Sequence, residues 1–347
     1  MSDDLLIDEP PVRRRFYDRW FGRFSRGGSL GSGRDRHWLW RLLKWLGVVL
    51  LAIIVLYYPV GMLLTNRIND DPNFSAPQVE QSQAPDTGAS QAVATAAALM
   101  DREINQTAWP ANDPFFMPGW ALDNMPNFQI GIRDAVKRFA LELQDEIGRN
   151  RGTSAADSDL QAAASYFNYR PDVWIWNPSN ALLPTSTTEE QYQQGIRAFV
   201  SYNQRLAQGK ATFDRRADNL LSALDRIGKD LGAASDRTQR QIDQESGSWI
   251  DFHADDVFYL NKGLLYGNAL ILRDLGKDFG KILDEKGARQ IWDRMVSSMM
   301  EGAELRPWIV INGRPDALMQ PNHLAAQGFY LIRARAQLEE LNDVLIK

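Results

Sequence analysis

Residues 45–65, WLGVVLLAIIVLYYPVGMLLT, run for 21 positions without a charge. A helix of that length, rising 1.5 Å per residue, covers a bilayer hydrocarbon core of roughly 30 Å. Lipid offers no hydrogen-bond partners, so a segment crossing it alone must pair its own backbone groups as a helix. The remaining sequence has to be arranged on either side of that span.

The flanks give the span a direction. Between Pro11 and Lys44 there are ten Lys or Arg and two acids, Asp18 and Asp35, whereas residues 66–90 hold one base, Arg67. Positive charge stays on the cytoplasmic side, which predicts an inner N-terminus and an outer location for everything after residue 66. Trp38, Trp40 and Trp45 stand at the inner edge, where indoles favour the headgroup level. Pro59 and Gly61 lie late in the span, either as imperfections in a simple anchor or as a place where a partner helix can approach. A cleaved signal peptide fits poorly. The preceding segment is 44 residues long, the apolar run exceeds a usual signal core, and no A-x-A site follows it.

Four regions follow: a basic cytoplasmic segment 1–44, the transmembrane helix 45–65, a polar Pro-containing linker 66–90 and a helical domain 91–347. In the first, Arg13, Arg14, Arg15, Arg19, Arg23 and Arg26 alternate with Phe16, Tyr17, Trp20, Phe21 and Phe24. Residues 11–24 thus either lie along anionic lipid as a short interfacial helix or serve only to fix topology. Ser25–Gly33 is a Gly/Ser hinge without the G-K-[ST] of a phosphate-binding loop. The linker, with Pro72, Pro77 and Pro85, reads as an extended spacer that lifts the domain off the membrane. The chain has no cysteine, which excludes disulfides, thiolate metal sites and thiol chemistry. The net charge of −5 combines a basic first segment with an acidic remainder, so nucleic acid is not an expected partner.

Beyond the linker the apolar periodicity is helical, and the fold class is mainly α. Helices are predicted over Gln91–Asn105, Ile130–Ile147, Leu160–Phe167, Asp255–Leu275, Ala288–Met300 and Leu324–Ile346, the last with Pro321 in its first turn. Thr187 and Glu190 fit a capping box that opens the longest helix. Counting by sevens from Tyr192 gives Phe199, Leu206, Phe213, Leu220, Ile227 and Ala234, all apolar. The companion series from Ile196 passes through Asn203 and Lys210. This predicts one heptad-patterned helix that starts at this cap and carries the 192–234 seam, about 50 residues and about 75 Å in all. It is a coiled-coil candidate whose seam either folds inside the chain or pairs two copies. Trp308–Ile311 before Asn312-Gly313 reads as a short extended segment and turn.

No stretch names a reaction. Asp251, His253, Asp255 and Asp256 are clustered, and His323 could join them at a zinc or non-haem metal site. There is no H-E-x-x-H, and the competing reading makes these acids the cap of a helix N-terminus. Ser246-Gly247-Ser248 beside His253 is too common a composition to define a triad, and no G-x-S-x-G is present. Two irregular aromatic stretches, 109–128 and 169–183, offer Trp120, Asp123, Asn124, Asn127, Trp174 and Trp176 as a ligand-binding set. Their alternative is to plug the ends of a helical core. Nothing in the sequence asks for a cofactor.

The motifs G-W-A-L-D-N-M-P-N-F-Q-I at 119–130, W-I-W-N at 174–177 and W-I-D-F-H-A-D-D at 249–256, with a basic tail and one span, resemble a family of bacterial inner-membrane proteins. It is known as domain of unknown function 2333. The resemblance covers most of the chain after residue 45 and implies a single-pass inner-membrane location with the bulk in the periplasm. It brings no catalytic residue and no ligand. The expected role is a scaffold or adaptor of the cell envelope, with the bilayer and another envelope protein, or self-association through the 192–234 helix, as partners. The alternatives are a periplasmic ligand-binding or sensing domain working through a partner, and a metal-dependent envelope hydrolase.

Overall fold

The computed structural model describes residues 32–76, 88–148, 156–176, 183–246, 251–314 and 318–347. The arginine–aromatic segment 11–24, most of the Gly/Ser hinge, linker residues 77–87 and Gly247-Ser248 lie outside the described residues. Among those described there are ten α-helices and no strand, as the periodicity requires. By internal contacts the chain divides into Met1–Leu56 and Tyr57–Lys347.

Helix α1, Ser32–Thr65, includes a stretch of 29 residues, His37–Thr65, that is long and apolar enough to cross a membrane. Residues 37–57 of it, Trp45 and Leu56 among them, are exposed throughout.

The second unit is built on α7, Ala254–Asp278. Residues 261–272 of this helix are all buried. A helix apolar or packed on every side belongs at the centre of a bundle. Against it lies α3, Asn124–Glu142. A Cβ on Gly263 would fall 2.8 Å from the Phe128 carbonyl carbon, one on Gly131 would fall 2.6 Å from Leu264 N, and one on Gly267 would fall 2.8 Å from Ala135 Cβ. The two backbones touch, and the matched positions ascend together, so α3 and α7 run parallel. Helix α2, Gln91–Asp101, and α9, Arg289–Ala303, also pack on α7. The Trp292 indole donates to Leu272 O at 3.1 Å. Helix α10, His323–Ile346, covers α9 and α6, Ala217–Glu245, and α4, Ser158–Phe167, lies on α5, Thr188–Ala207. Between α7 and α9, Gly280–Glu285 forms the short α8.

The single helix expected over 192–234 is two helices, α5 and α6. Thr187 and Glu190 do form the capping box that starts α5. Gly209, at φ +69°, then stops it with the paired bonds of a Schellman turn, Gly209 N–H to Leu206 O and Lys210 N–H to Arg205 O. The heptad series survives the break because both helices turn their stripe to the same core. Tyr192, Phe199, Leu206, Leu220, Ile227 and Ala234 are all buried inside the chain. The seam residues thus pack within the chain's own core.

Two more expectations change. Helix α3 starts at Asn124 rather than Ile130, because Pro126 occupies the first turn, where its missing N–H has no intrahelical partner to lose. Pro321 sits before the N-cap of α10, Asn322, rather than inside its first turn. The Trp308–Ile311 stretch ends in one isolated antiparallel bridge, Asn312 with Asn322.

Residues 66–76 do not behave as a spacer. Asp70 accepts from Lys262 at 2.7 Å and from Arg306 at 2.6 and 2.9 Å. Tyr266 donates to Asp71 O, Arg273 to Pro72 O and Phe74 O, and the Phe74 ring lies 4.7 Å from the Arg102 guanidinium carbon. The chain leaving α1 is laid along α7.

At the end of α3, Glu142 is fully buried with one carboxylate oxygen unpartnered. Burial pushes its carboxyl up from 4.5 to about 7, outweighing Arg226 and Arg138. The folded state then holds a proton that the unfolded state has lost, so this group's contribution to stability falls as pH rises from 4.5 to about 7. Glu142→Gln keeps the shape without the charge. It is expected to raise unfolding free energy by about 3 kcal/mol at pH 8, and by under about 1 kcal/mol at pH 5. Urea melts at the two pH values measure the difference.

Candidate functional site

The parallel packing of α3 and α7 puts both their N-termini at one end. Asp123 caps α3, its carboxylate accepting from Asn124 N–H at 2.8 Å. The Asp251 carboxylate caps α7, accepting from the N–H groups of His253 and Ala254 at 3.0 and 3.1 Å. Asn127 on α3 donates to Asp256 on α7 at 2.7 Å. In consequence Asp123, Asp255 and Asp256 each bring a carboxylate oxygen within 4.8 Å of the others. Burial raises the Asp255 and Asp256 carboxyls, and the Asp123 charge raises them further. The helix N-terminus favours acids here and limits the repulsion.

This arrangement joins members of the two sets proposed from sequence, Asp123 and Asn127 from one and Asp255 from the other. It does not assemble the metal set. Among the described residues no three of Asp251, His253, Asp255 and His323 come within ligand distance of one another. Asp251 is saturated: besides its two caps it accepts from Gln241 at 2.9 and 3.0 Å and from Asn312 at 2.9 Å. These bonds outweigh burial and hold its carboxyl below the usual range. Asp251 ties α6, α7 and the 312 loop together. His323 Nδ1 accepts from Ile311 N–H at 3.0 Å, and burial pushes its imidazole pKa down. His253 is exposed at the start of α7. Three carboxylate oxygens are the donor set of a hard cation such as calcium or magnesium, not of zinc.

Asp123→Asn tests the repulsion, since Asn retains the capping oxygen. It is expected to stabilise the domain at pH 7 by on the order of 1 kcal/mol. The gain should shrink as pH falls and Asp255 and Asp256 take up protons; melting temperatures across pH check it.

The aromatic residues lie on two tied loops. Trp109 Nε1 donates to Pro171 O at 2.9 Å, and the Asn112 amide donates to Val173 O at 3.0 Å and to Glu189 at 2.7 Å. Trp174 meets Phe116 edge-on at 5.5 Å. Trp120 and Trp176 face solvent, 60% and 52% exposed. Trp109, edge-on to Tyr192, and Phe128, against Tyr266, plug the core.

A small cavity of about 200 Å³ was not foreseen; Asp134, Lys137, Arg138, Asp230 and Arg237 line it. Arg138 forks onto Asp230 at 2.6 and 2.8 Å, closing much of its polar wall. Its volume is below that of ordinary ligand pockets. The buried pair of Asp70 and Lys262, capped by the exposed Arg306, was equally illegible in the sequence, because its members stand 192 and 236 positions apart.

These features define an all-helical domain joined to a helix capable of crossing a membrane. The chain belongs to the family described as uncharacterized protein conserved in bacteria (DUF2333), which matches residues 34–247 and 239–347. No curated protein and no solved structure matches.

Proposed function

We propose that this chain is a single-pass bacterial inner-membrane protein with its helical domain in the periplasm, acting by contact as a scaffold or adaptor of the cell envelope. The asymmetry of Lys and Arg about residues 45–65 supports the orientation. The observation that carries the scaffold reading is the loop between α9 and α10. Trp308 and Leu318 are fully exposed, Met319 nearly so, and Ile309 is 73% exposed. The loop's base is nevertheless fixed, by His323 N–H to Ile311 O at 2.9 Å and by the Asn322 amide to Asn312 Oδ1 at 3.1 Å. Large apolar side chains held out on a pinned loop form the kind of surface a partner covers.

The test is site-specific photo-crosslinking from position 308, and separately from 318, in the full-length chain in growing cells. One reproducible envelope protein joined at both positions supports the reading, and Ile309→Ser should then weaken the adduct. No adduct at either position overturns it. Orientation is read independently on Lys281→Cys, which the cysteine-free background makes clean. An impermeant maleimide should label it in spheroplasts, and protection until lysis would reverse the topology.

A further inference from the structure

The last two turns of α1 are packed against the loop 113–122. The Tyr58 hydroxyl donates to Phe115 O at 2.8 Å, and a Cβ on Gly61 would lie 2.5 Å from Pro118 Cγ. Both helix residues precede Thr65, the last of the uncharged run. At 1.5 Å per residue, Gly61 stands about 6 Å and Tyr58 about 10 Å short of that end. The loop is therefore level with the final part of the apolar run, not beyond it. Chain at that level meets the boundary between acyl chains and headgroups.

The loop's composition suits that depth. Residues 114–122, PFFMPGWAL, carry no charge, and neither do residues 173–176, VWIW. Phe115 is 70% exposed, and Phe116 and Trp120 are exposed as well. Trp174 lies edge-on to Phe116, and Trp176, two residues further on, is exposed. The rings are held rather than loose: Phe115 and Phe116 meet edge-on at 5.5 Å, and Asn112 pins the two loops together. In water this is an unsatisfied apolar surface. In the bilayer interface, tryptophan and other amphipathic rings are at their preferred depth.

We propose that the loops 113–122 and 173–176 insert their exposed rings into the interface of the same bilayer that α1 crosses, giving the domain a second, monotopic membrane contact. The lipid surface is the occupant because the patch is continuous with the end of the spanning helix. The inference rests on the reading of α1 as a membrane span, and the test separates the two.

Single cysteines are introduced into the full-length cysteine-free chain at Phe116, at Leu56 within the span and at Lys281, an exposed position near the other end of α7. Each is labelled with an environment-sensitive fluorophore in phosphatidylcholine–phosphatidylglycerol vesicles, with and without nitroxide-bearing lipid. The expected result is blue-shifted emission and loss of fluorescence to the nitroxide at Phe116→Cys and Leu56→Cys, and neither at Lys281→Cys. Quenching at Leu56→Cys with a water-like, unquenched label at Phe116→Cys overturns the second contact and leaves the anchor standing. Absence of quenching at Leu56→Cys overturns the anchor itself, and this inference with it. A second label at Trp120→Cys guards against a local disturbance at 116, and it must follow the same pattern.

Discussion

Replacing Gly263 with alanine lowers the stability of the helical domain by about 3 kcal/mol or more, and replacing it with valine prevents folding. A Cβ there would run into the Phe128 carbonyl, 2.8 Å from its carbon and 3.1 Å from Gly131 Cα. The obstacles are backbone atoms, which cannot rotate aside. Relief would require α3 and α7 to part, and that would open the packing of the fully buried Phe128, Ile132 and Tyr266. Gly228 on α6 is the matched control. Its Cβ would meet nothing closer than Leu338 Cδ1 at 3.9 Å. Gly228→Ala should therefore stabilise the domain by about 0.5–1 kcal/mol through helix propensity. Urea unfolding followed by circular dichroism reads both. A neutral Gly263→Ala would mean that α3 and α7 do not meet backbone to backbone.

The second large effect is at Asp70. Asp70→Ala strands the Lys262 ammonium, whose side chain is 2% exposed, with only the carbonyls of Ala303 and Leu305 for company. Breaking a buried pair from one side costs about 3–5 kcal/mol, because the remaining charge stays desolvated. Removing both charges is a different matter. Asp70→Ala with Lys262→Met should recover most of that loss, and the double-mutant cycle isolates the coupling. Acid should act in the same direction as the single variant. Burial would raise the Asp70 carboxyl, but the hydrogen bonds from Arg306 and Lys262 outweigh it and hold it below 3.8. Its contribution is therefore complete above the ordinary carboxylate range and disappears as pH falls through the lowered value. A stability difference between wild type and Asp70→Ala that persists unchanged at the lowest pH would contradict this account.

The sequence disclosed what depends on neighbours along the chain. Residues 45–65 announce their helix by length and lack of charge. Thr187 and Glu190 announce the start of α5, and the apolar stripes of α7, α9 and α10 were found within a few residues. The break at Gly209 was hidden by its surroundings, since the stripe Leu206, Phe213, Leu220 continues in register across it. The signs were nevertheless present: a glycine at the helix end, beside the seam disruptions at Asn203 and Lys210. The start of α3 was obscured by Pro126, which reads as a loop residue until its place in the first turn is known.

The site was less legible for a different reason. Asp123 meets Asp255 and Asp256 only because α3 and α7 lie parallel and in contact. The small residues that permit this, Gly263 and Gly267, stand four apart on one helix face. That spacing was a readable hint of close approach, though not of which helix would come. Asp70, Lys262 and Arg306 offered no hint, since nothing local distinguishes a surface acid from one destined for a buried cluster.

The fastening of Asp70, Asp71, Pro72 and Phe74 along α7 has a mechanical meaning. A slack tether would let the domain sweep a wide volume and would absorb a pull by straightening. Here a load applied to the bundle passes from its central helix through a hydrogen-bonded seam to Asp70, five residues after the end of α1. Between Asp70 and Phe74 stretching has little free length to consume; the seam must first rupture, bond by bond along α7. Any force borne by residues 70–74 is therefore delivered to the central helix of the bundle rather than to its surface loops.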